Sequence, residues 1–236
     1  MALMSSAPTS CQNCPYLRHS LLGTCQVSEI AHISGSKVSQ QYQRGQVIYQ
    51  EGNSPAGLYC INQGKVKVSK QNSEGKEQIV KLRKEGDVLG FQALTATSNH
   101  CSSAVALTDC VVCMVPRSDF FSIIAQNSQF SHALMYLLSA ALGDAEKHML
   151  HVAYKPVRGR LAEALVQLYH FFQPATPETF SIPISREDLA ALMGTAKETA
   201  SRLLSDFRDE GLVATRGSRI TVLNLEKLQK ISEMHG

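Results

Sequence analysis

The chain has 236 residues, of which 44% are hydrophobic and 18% charged, and its formal net charge is +3. Such a length fits one large domain or two small ones, and the apolar share supports a folded core and excludes a disordered chain. A charge this close to neutral neither requires nor forbids a polyanionic partner. The opening MALMSSAPTSCQNC has no basic stretch followed by an apolar one, so no secretory signal is expected. The longest apolar run, Ala133 to Gly143, is about half a membrane span. The expected location is the cytoplasm, with no membrane partner. Stable disulfides are disfavoured there, and the cysteine count of seven is odd.

Residues 1–30 read as an irregular, Ser-rich lead-in that carries Cys11, Cys14 and Cys25. With disulfides set aside, these three are metal ligands, redox thiols or residues without a role. Zinc would draw extra ligands from His19 or His32. From about residue 38 to 116 short β-branched runs alternate with glycines: QVIY, GLYCI, KVKVS, EQIVKL, DVLGF, SSAVAL and CVVCMV. KVKVSK has period-2 alternation, and NSEGKE is a hairpin turn. Many short strands separated by turns predict an antiparallel β-roll over residues 31–116. Cys60, Cys101 and Cys110 read as small buried residues of its strands.

Pro116 closes that region, and the pattern turns helical. SDFFSIIAQ predicts a short helix with Ser118 as its N-cap. A longer helix follows, with Leu134, Leu137, Leu138, Ala141, Leu142, Ala145 and Met149 on one stripe. This stripe either packs on the chain's own β-roll or forms a homodimer seam within a linker and dimerisation helix over 117–153.

QPATPET, residues 173–179, marks a loop or boundary. In FSIPISREDLAALMG a short strand precedes a helix capped by Ser185, with Glu187 and Asp188 in its first turn and Gly194 at its end. TAKETASRLLSDFRDEG gives a second helix stopped by Gly211, and LVATRGSRITVLN reads as a hairpin about Gly-Ser. Two helices joined by a tight turn and followed by a hairpin make a winged helix-turn-helix over residues 154–236. On the second helix Ala200, Leu203, Leu204 and Phe207 share the inward face. Lys197, Glu198, Ser201, Arg202 and Ser205 share the other. Any amphipathic helix has a polar face, but this one carries side-chain types that read base edges. From Ile182 to Gly236 there are eight Lys/Arg and eight Asp/Glu, so basic groups must be gathered locally on the DNA side. Asp206, Asp209 and Glu210 would have to turn away. The fold class is therefore α+β. No G-x-S-x-G, phosphate-cradling Gly loop with Lys, or HExxH is present, so no catalytic residue and no enzyme is expected.

The order β-roll, long apolar helix, winged helix-turn-helix resembles the CRP/FNR family of bacterial transcription regulators over about residues 11–225. GKVKVSKQNSEGKEQIVKLRKEGDVLGFQAL looks like the family's β-roll, RGRLAEALVQL like its post-hinge helix, and ISREDLAALMGTAKETASRLLSDFRDEGLV like its DNA-reading signature. The cyclic-AMP branch uses a Gly-Glu pair and an Arg-Ser pair, the Arg meeting the phosphate. Here those places read Gly90-Phe91 and Ser102-Ser103, so no cyclic-nucleotide site and no cyclic AMP are expected.

The fumarate–nitrate reduction branch carries an oxygen-labile [4Fe–4S] cluster on three N-terminal cysteines and one distant one. The resemblance implies Cys11, Cys14, Cys25 and Cys113 as ligands, with Cys110 the rival of Cys113. The trio here is C-x2-C-x10-C where C-x2-C-x5-C is common, a lengthening of small entropic cost. On the DNA side the resemblance implies a site of Ser185, Arg186, Thr195, Lys197, Glu198, Ser201 and Arg202. Glu198, Ser201 and Arg202 match Glu-x-x-Ser-Arg and imply double-stranded DNA with TTGAT-like inverted half-sites. Lys197 replaces the apolar residue usual there. A homodimer and RNA polymerase are the implied partners. The remaining readings are a regulator without a cluster, working by a thiol switch, haem or an organic effector, and a thiol oxidoreductase using Cys11 and Cys14.

Overall fold

The computed structural model describes residues 10–174 and 179–233, so most of the 173–179 loop expectation lies outside the described residues. The chain divides into two compact units. The first holds the residues up to Gln71 and Lys81–Gly143, the second Asn72–Val80 and Asp144 onward.

In the first unit the lead-in is a run of single 3-10 turns, Cys11–Asn13, Leu17–His19 and Leu21–Thr24. Leu21 and Leu22 are buried, each worth about 1.5–3 kcal/mol of burial, so this segment is a packed layer. Helix α1 (Val27–Ser36) follows, which the strand-and-turn reading missed. Its start is a capping box: the Gln26 N–H donates to Glu29 Oε2 at 2.6 Å, and the Gln26 side chain accepts in return.

The strands are β1 (Val38–Tyr42), β2 (Val47–Tyr49), β3 (Gly57–Gln63), β4 (Val66–Gln71), β5 (Glu77–Arg83), β6 (Val88–Leu89), β7 (Ser103–Ala106) and β8 (Cys110–Pro116), with helix α2 (Phe91–Thr95) after β6. They form two four-stranded sheets, in the orders β1-β8-β3-β6 and β2-β7-β4-β5. This is the expected β-roll. Gly64 turns β3 into β4 at φ +95°, and a Cβ there would come within 2.4 Å of the Asp109 carbonyl oxygen. Cys110, Val111, Val112, Cys113 and Val115 are all buried, so β8 is covered on both faces. One cover is the N-terminal layer: Cys11, Leu21, Leu22, Ile30 and Ile33 join Leu58, Val115, Phe120, Phe130 and Leu134 in one apolar cluster.

Strand β8 runs straight into α3 (Arg117–Gln126). Ser118 is not its N-cap: Pro116 holds that position, and Ser118 Oγ donates to Asp119 Oδ1 at 3.1 Å instead. The proline presets the backbone φ a helix entrance needs, and the helix begins at Arg117, two residues before a Ser118 cap would start it. Helix α4 (Ser128–Tyr154) carries the apolar stripe. Leu134 and Ala141 are buried, and Leu137 and Leu138 pack against the cluster. Leu142 and Met149, 62% and 65% exposed, have no apolar cover.

The second unit contains α5 (Val157–Phe172), β9 (Ile182–Pro183), α6 (Arg186–Met193), α7 (Lys197–Asp209), β10 (Val213–Arg216), β11 (Arg219–Val222) and α8 (Leu225–Glu233). The sheet order is β10-β11-β9, all antiparallel. Leu161, Leu165, Ile182, Leu189, Leu204, Phe207, Ile220 and Leu228 form its buried centre.

Candidate functional site

Two constellations stand out, one in each unit. In the second unit the α6–turn–α7 pair is built from local signals. Ser185 Oγ accepts from the Asp188 N–H at 2.9 Å and so caps α6. Gly194 ends that helix in the left-handed region at φ +63°, and the Thr195 N–H returns to the Ala190 carbonyl. Ala200, Leu204 and Phe207 bury the inner face of α7, with Leu203 half-buried. Lys197, Glu198 and Arg202 are exposed, and Ser201 is half-buried.

The charges are partitioned along α7. Glu210, just past its C-terminal end, takes Arg158 Nη2 of α5 on both carboxylate oxygens, at 2.8 and 2.7 Å, and Asp209 takes Arg208 at 3.0 Å. These acids sit at the far end from Lys197 and Glu198, roughly 18 Å along the helix axis. Lys197 Nζ is ion-paired with Glu187 of α6. That pair holds the Glu187 carboxyl below its ordinary range and the Lys197 ammonium above its own. Arg186 Nη2 donates to the Gly217 carbonyl at 3.2 Å, tying the wing turn to the start of α6, while its buried Nη1 has no protein partner. Burial lowers the Arg186 pKa from its ordinary value.

In the first unit Cys11, Cys14, Cys60 and Cys113 line one cavity of about 40 Å³ together with Leu17, Leu22, Lys37, Asn62 and Val115. This is room for about one water, so a larger group enters only if a wall moves. Strand register explains half of the set: Cys60 on β3 lies directly opposite Cys113 on β8. Cys11 and Cys14 flank the first 3-10 turn, where the Cys14 N–H bonds to the Cys11 carbonyl at 3.0 Å. Asn62 Nδ2 lies 3.5 Å from Cys14 Sγ and donates to it, and Ser39 Oγ lies 3.4 Å from Cys113 Sγ.

Cys25 does not line the cavity. It packs against the same apolar cluster, and burial, then the neighbouring Glu29 and Cys11, push its thiol up to about 12. Burial pushes the Cys60 thiol up as well, reinforced by Cys113, Cys11 and Cys14 and opposed by Lys37. Cys110 is three residues from Cys113 on one strand, so it faces the other way. Its Sγ donates to the Thr108 and Lys65 carbonyls. His32 pairs with Asp119 at 3.5 Å and lies off the cavity wall, as does His19. Among the described residues no three His, Cys, Asp or Glu side chains stand close enough to hold a metal ion. Sequence reasoning missed Cys60, because only strand pairing brings it to Cys113.

Two family models match the chain: the cyclic nucleotide-binding domain over residues 39–127 and the Crp-like helix-turn-helix domain over 159–231. The chain belongs to the CRP/FNR family of transcription regulators. Among curated family members, the fumarate and nitrate reduction regulatory protein of Vibrio cholerae is 28% identical over 225 residues, 94% of this chain and 90% of that protein. The protein of the same name from Escherichia coli K12 is 29% identical over 192 residues, 80% and 76% of the two chains. The structure of a putative CRP/FNR regulator from Eubacterium rectale superposes with a TM-score of 0.76 at 19% identity, covering 90% of this chain and 97% of that one. FixK2 of Bradyrhizobium japonicum gives 0.73 at 26% identity, covering 85% and 99%.

Beside Gly90 and Ser102, where the sequence resemblance would put nucleotide anchors, the structure has an aromatic wall of Tyr49, Tyr59 and His100. Phe91 is buried in the apolar cluster, and the Ser103 hydroxyl accepts from the Glu51 N–H at 3.0 Å. The buried His100 ring stacks on Tyr49 at 4.0 Å, and burial lowers its pKa, favouring the neutral ring. No guanidinium stands at Ser102-Ser103 to meet a phosphate.

Proposed function

We infer that the chain works as a DNA-binding transcription regulator of the CRP/FNR family, related to the fumarate and nitrate reduction regulators. We propose that its DNA binding is governed by an oxygen-labile [4Fe–4S] cluster held at the thiol pocket. The observation that carries this reading is the convergence of cysteines from two remote parts of the chain, residues 11–14 and β8, on one cavity. The residues fit the group in kind. Thiolate sulfur is the ligand such clusters take, the surroundings are apolar, and Lys37 and Asn62 supply a cation and an amide donor beside the sulfurs. Held by cysteine thiolates, such a group would supply an oxygen-labile link between the N-terminal Cys11 and Cys14 and Cys113 of β8. The raised Cys60 and Cys25 thiols are no obstacle, because coordination deprotonates a thiol outright.

The chain does the rest through packing. Cys11 and Cys14 belong to the N-terminal layer, and Cys113 to β8. Phe120, Phe130 and Leu134 continue the same apolar cluster into α3 and the start of α4. Tying the N-terminal layer to β8 therefore fixes the first turns of α4. The exposed Met135, Tyr136, Leu142 and Met149 on that helix form the homodimer seam. A dimer offers two α7 helices to half-sites about one DNA turn, roughly 34–36 Å, apart. Glu198, Ser201 and Arg202 read TTGAT-like bases. With no charged anchor at Gly90-Phe91 or Ser102-Ser103, cyclic AMP is not the effector. RNA polymerase is the downstream partner.

Replacing Cys113 with Ser tests the reading. The variant should lose its iron and its anaerobic binding to a TTGAT-type palindrome. Full binding with bound iron retained would refute a role for Cys113.

A further inference from the structure

We propose that Cys60, and not Cys25, is the fourth thiol that holds the cluster with Cys11, Cys14 and Cys113; this rests on the cluster reading above. Cys60 and Cys113 are directly opposed on antiparallel strands, a relation that sets Cβ atoms about 4.5–5.5 Å apart on the same face of the sheet. Both side chains line the cavity that Cys11 and Cys14 of the N-terminal layer also line. The strands are rigid, so half of the donor set is preorganised before the N-terminal layer docks.

Cys25 is placed for a different task. The chain between Cys14 and Cys25 folds into two further 3-10 turns, and the second ends with the Cys25 N–H on the Leu22 carbonyl at 3.1 Å. The next residue opens the capping box of α1. Asn127, at the α3–α4 junction, donates to the Thr24 carbonyl at 3.2 Å and to Glu29 Oε2 at 2.8 Å. Cys25 is thereby pinned in the corner where α1 meets α3 and α4, beside a carboxylate. Lys37 instead lines the cavity beside Cys60. A cluster with four thiolates carries net negative charge, which favours the side of the lysine and disfavours that of Glu29. The long C-x2-C-x10-C interval is then a structural segment, and its last cysteine is a packing residue.

The test uses full-length protein, wild type and the variants Cys60→Ala, Cys25→Ala and Cys113→Ala, purified under argon. Iron, acid-labile sulfide and the visible spectrum are measured, with circular dichroism to verify the fold. The wild type should hold about four irons per chain. Cys60→Ala should fall to less than about a quarter of that, as Cys113→Ala does, while Cys25→Ala keeps wild-type iron and spectrum. Where Cys60→Ala does not fold, the near-isosteric Cys60→Ser replaces it. Iron retained in the Cys60 variant overturns the proposal, whatever Cys25→Ala does, and so does iron lost in both. A wild type that holds no iron and cannot be reconstituted ends the cluster reading itself.

Discussion

Arg202 is exposed on the outer face of α7, on the same turn as Ser201 and one turn after Glu198. In the proposed complex a guanidinium at that place would read guanine through two hydrogen bonds. Arg202→Ala should cost about 1–3 kcal/mol in operator binding and relax the preference at one base pair. Fluorescence anisotropy against a set of single-base operator variants checks this. An equal loss across all sequences would mean that Arg202 meets only phosphate. Ser185→Ala removes the α6 cap and should lower stability by about 1 kcal/mol, seen as a fall in Tm. Local signals of this kind were legible in the chain: Ser185 and Gly194 each act within four residues of themselves. The place of Cys60 in the thiol pocket was not legible, because it comes from facing Cys113 across a strand pair. Ser118 misled for a related reason, since β8 runs into α3 through Pro116 with no loop to cap.

At the scale of elements, α4 divides its stripe between two tasks. Leu134, Leu137 and Leu138 pack on the first unit's apolar cluster and Ala141 is buried, whereas Leu142, Ala145 and Met149 are left open to solvent. The sequence pattern alone could not separate these tasks, because both need apolar residues at spacings of three and four. Leu142→Glu should therefore weaken dimerisation at least tenfold in sedimentation velocity while leaving the melting of the monomer unit within about 0.5 kcal/mol of wild type. A variant that unfolds would instead place Leu142 in the core of a single chain. The β-roll itself was readable because its strands are short, β-branched and punctuated by turns. Helix α1 was not, although its Gln26–Glu29 capping box is a local signal, because the Ser-rich texture of the lead-in runs into it and its last turn, Ser34-Gly35-Ser36, reads as a turn.

For the whole molecule, a pocket of thiols in the first unit is continuous, through one apolar cluster, with the base of the helix proposed to carry the dimer seam. That continuity gives the proposed switch a physical route: holding the N-terminal layer on β8 biases how α4 is packed, a shift between two populations. The near-neutral charge of residues 182–236 fits a reader in which Glu210 and Asp209 are paired with Arg158 and Arg208 at the far end of α7. The measurement that tests the account most directly follows iron and operator affinity in one anaerobic sample as air is admitted. The account predicts about four irons per chain, tight binding to a TTGAT-type palindrome under argon, and loss of both together in air. An iron-free protein that binds the palindrome equally well in argon and in air would contradict it.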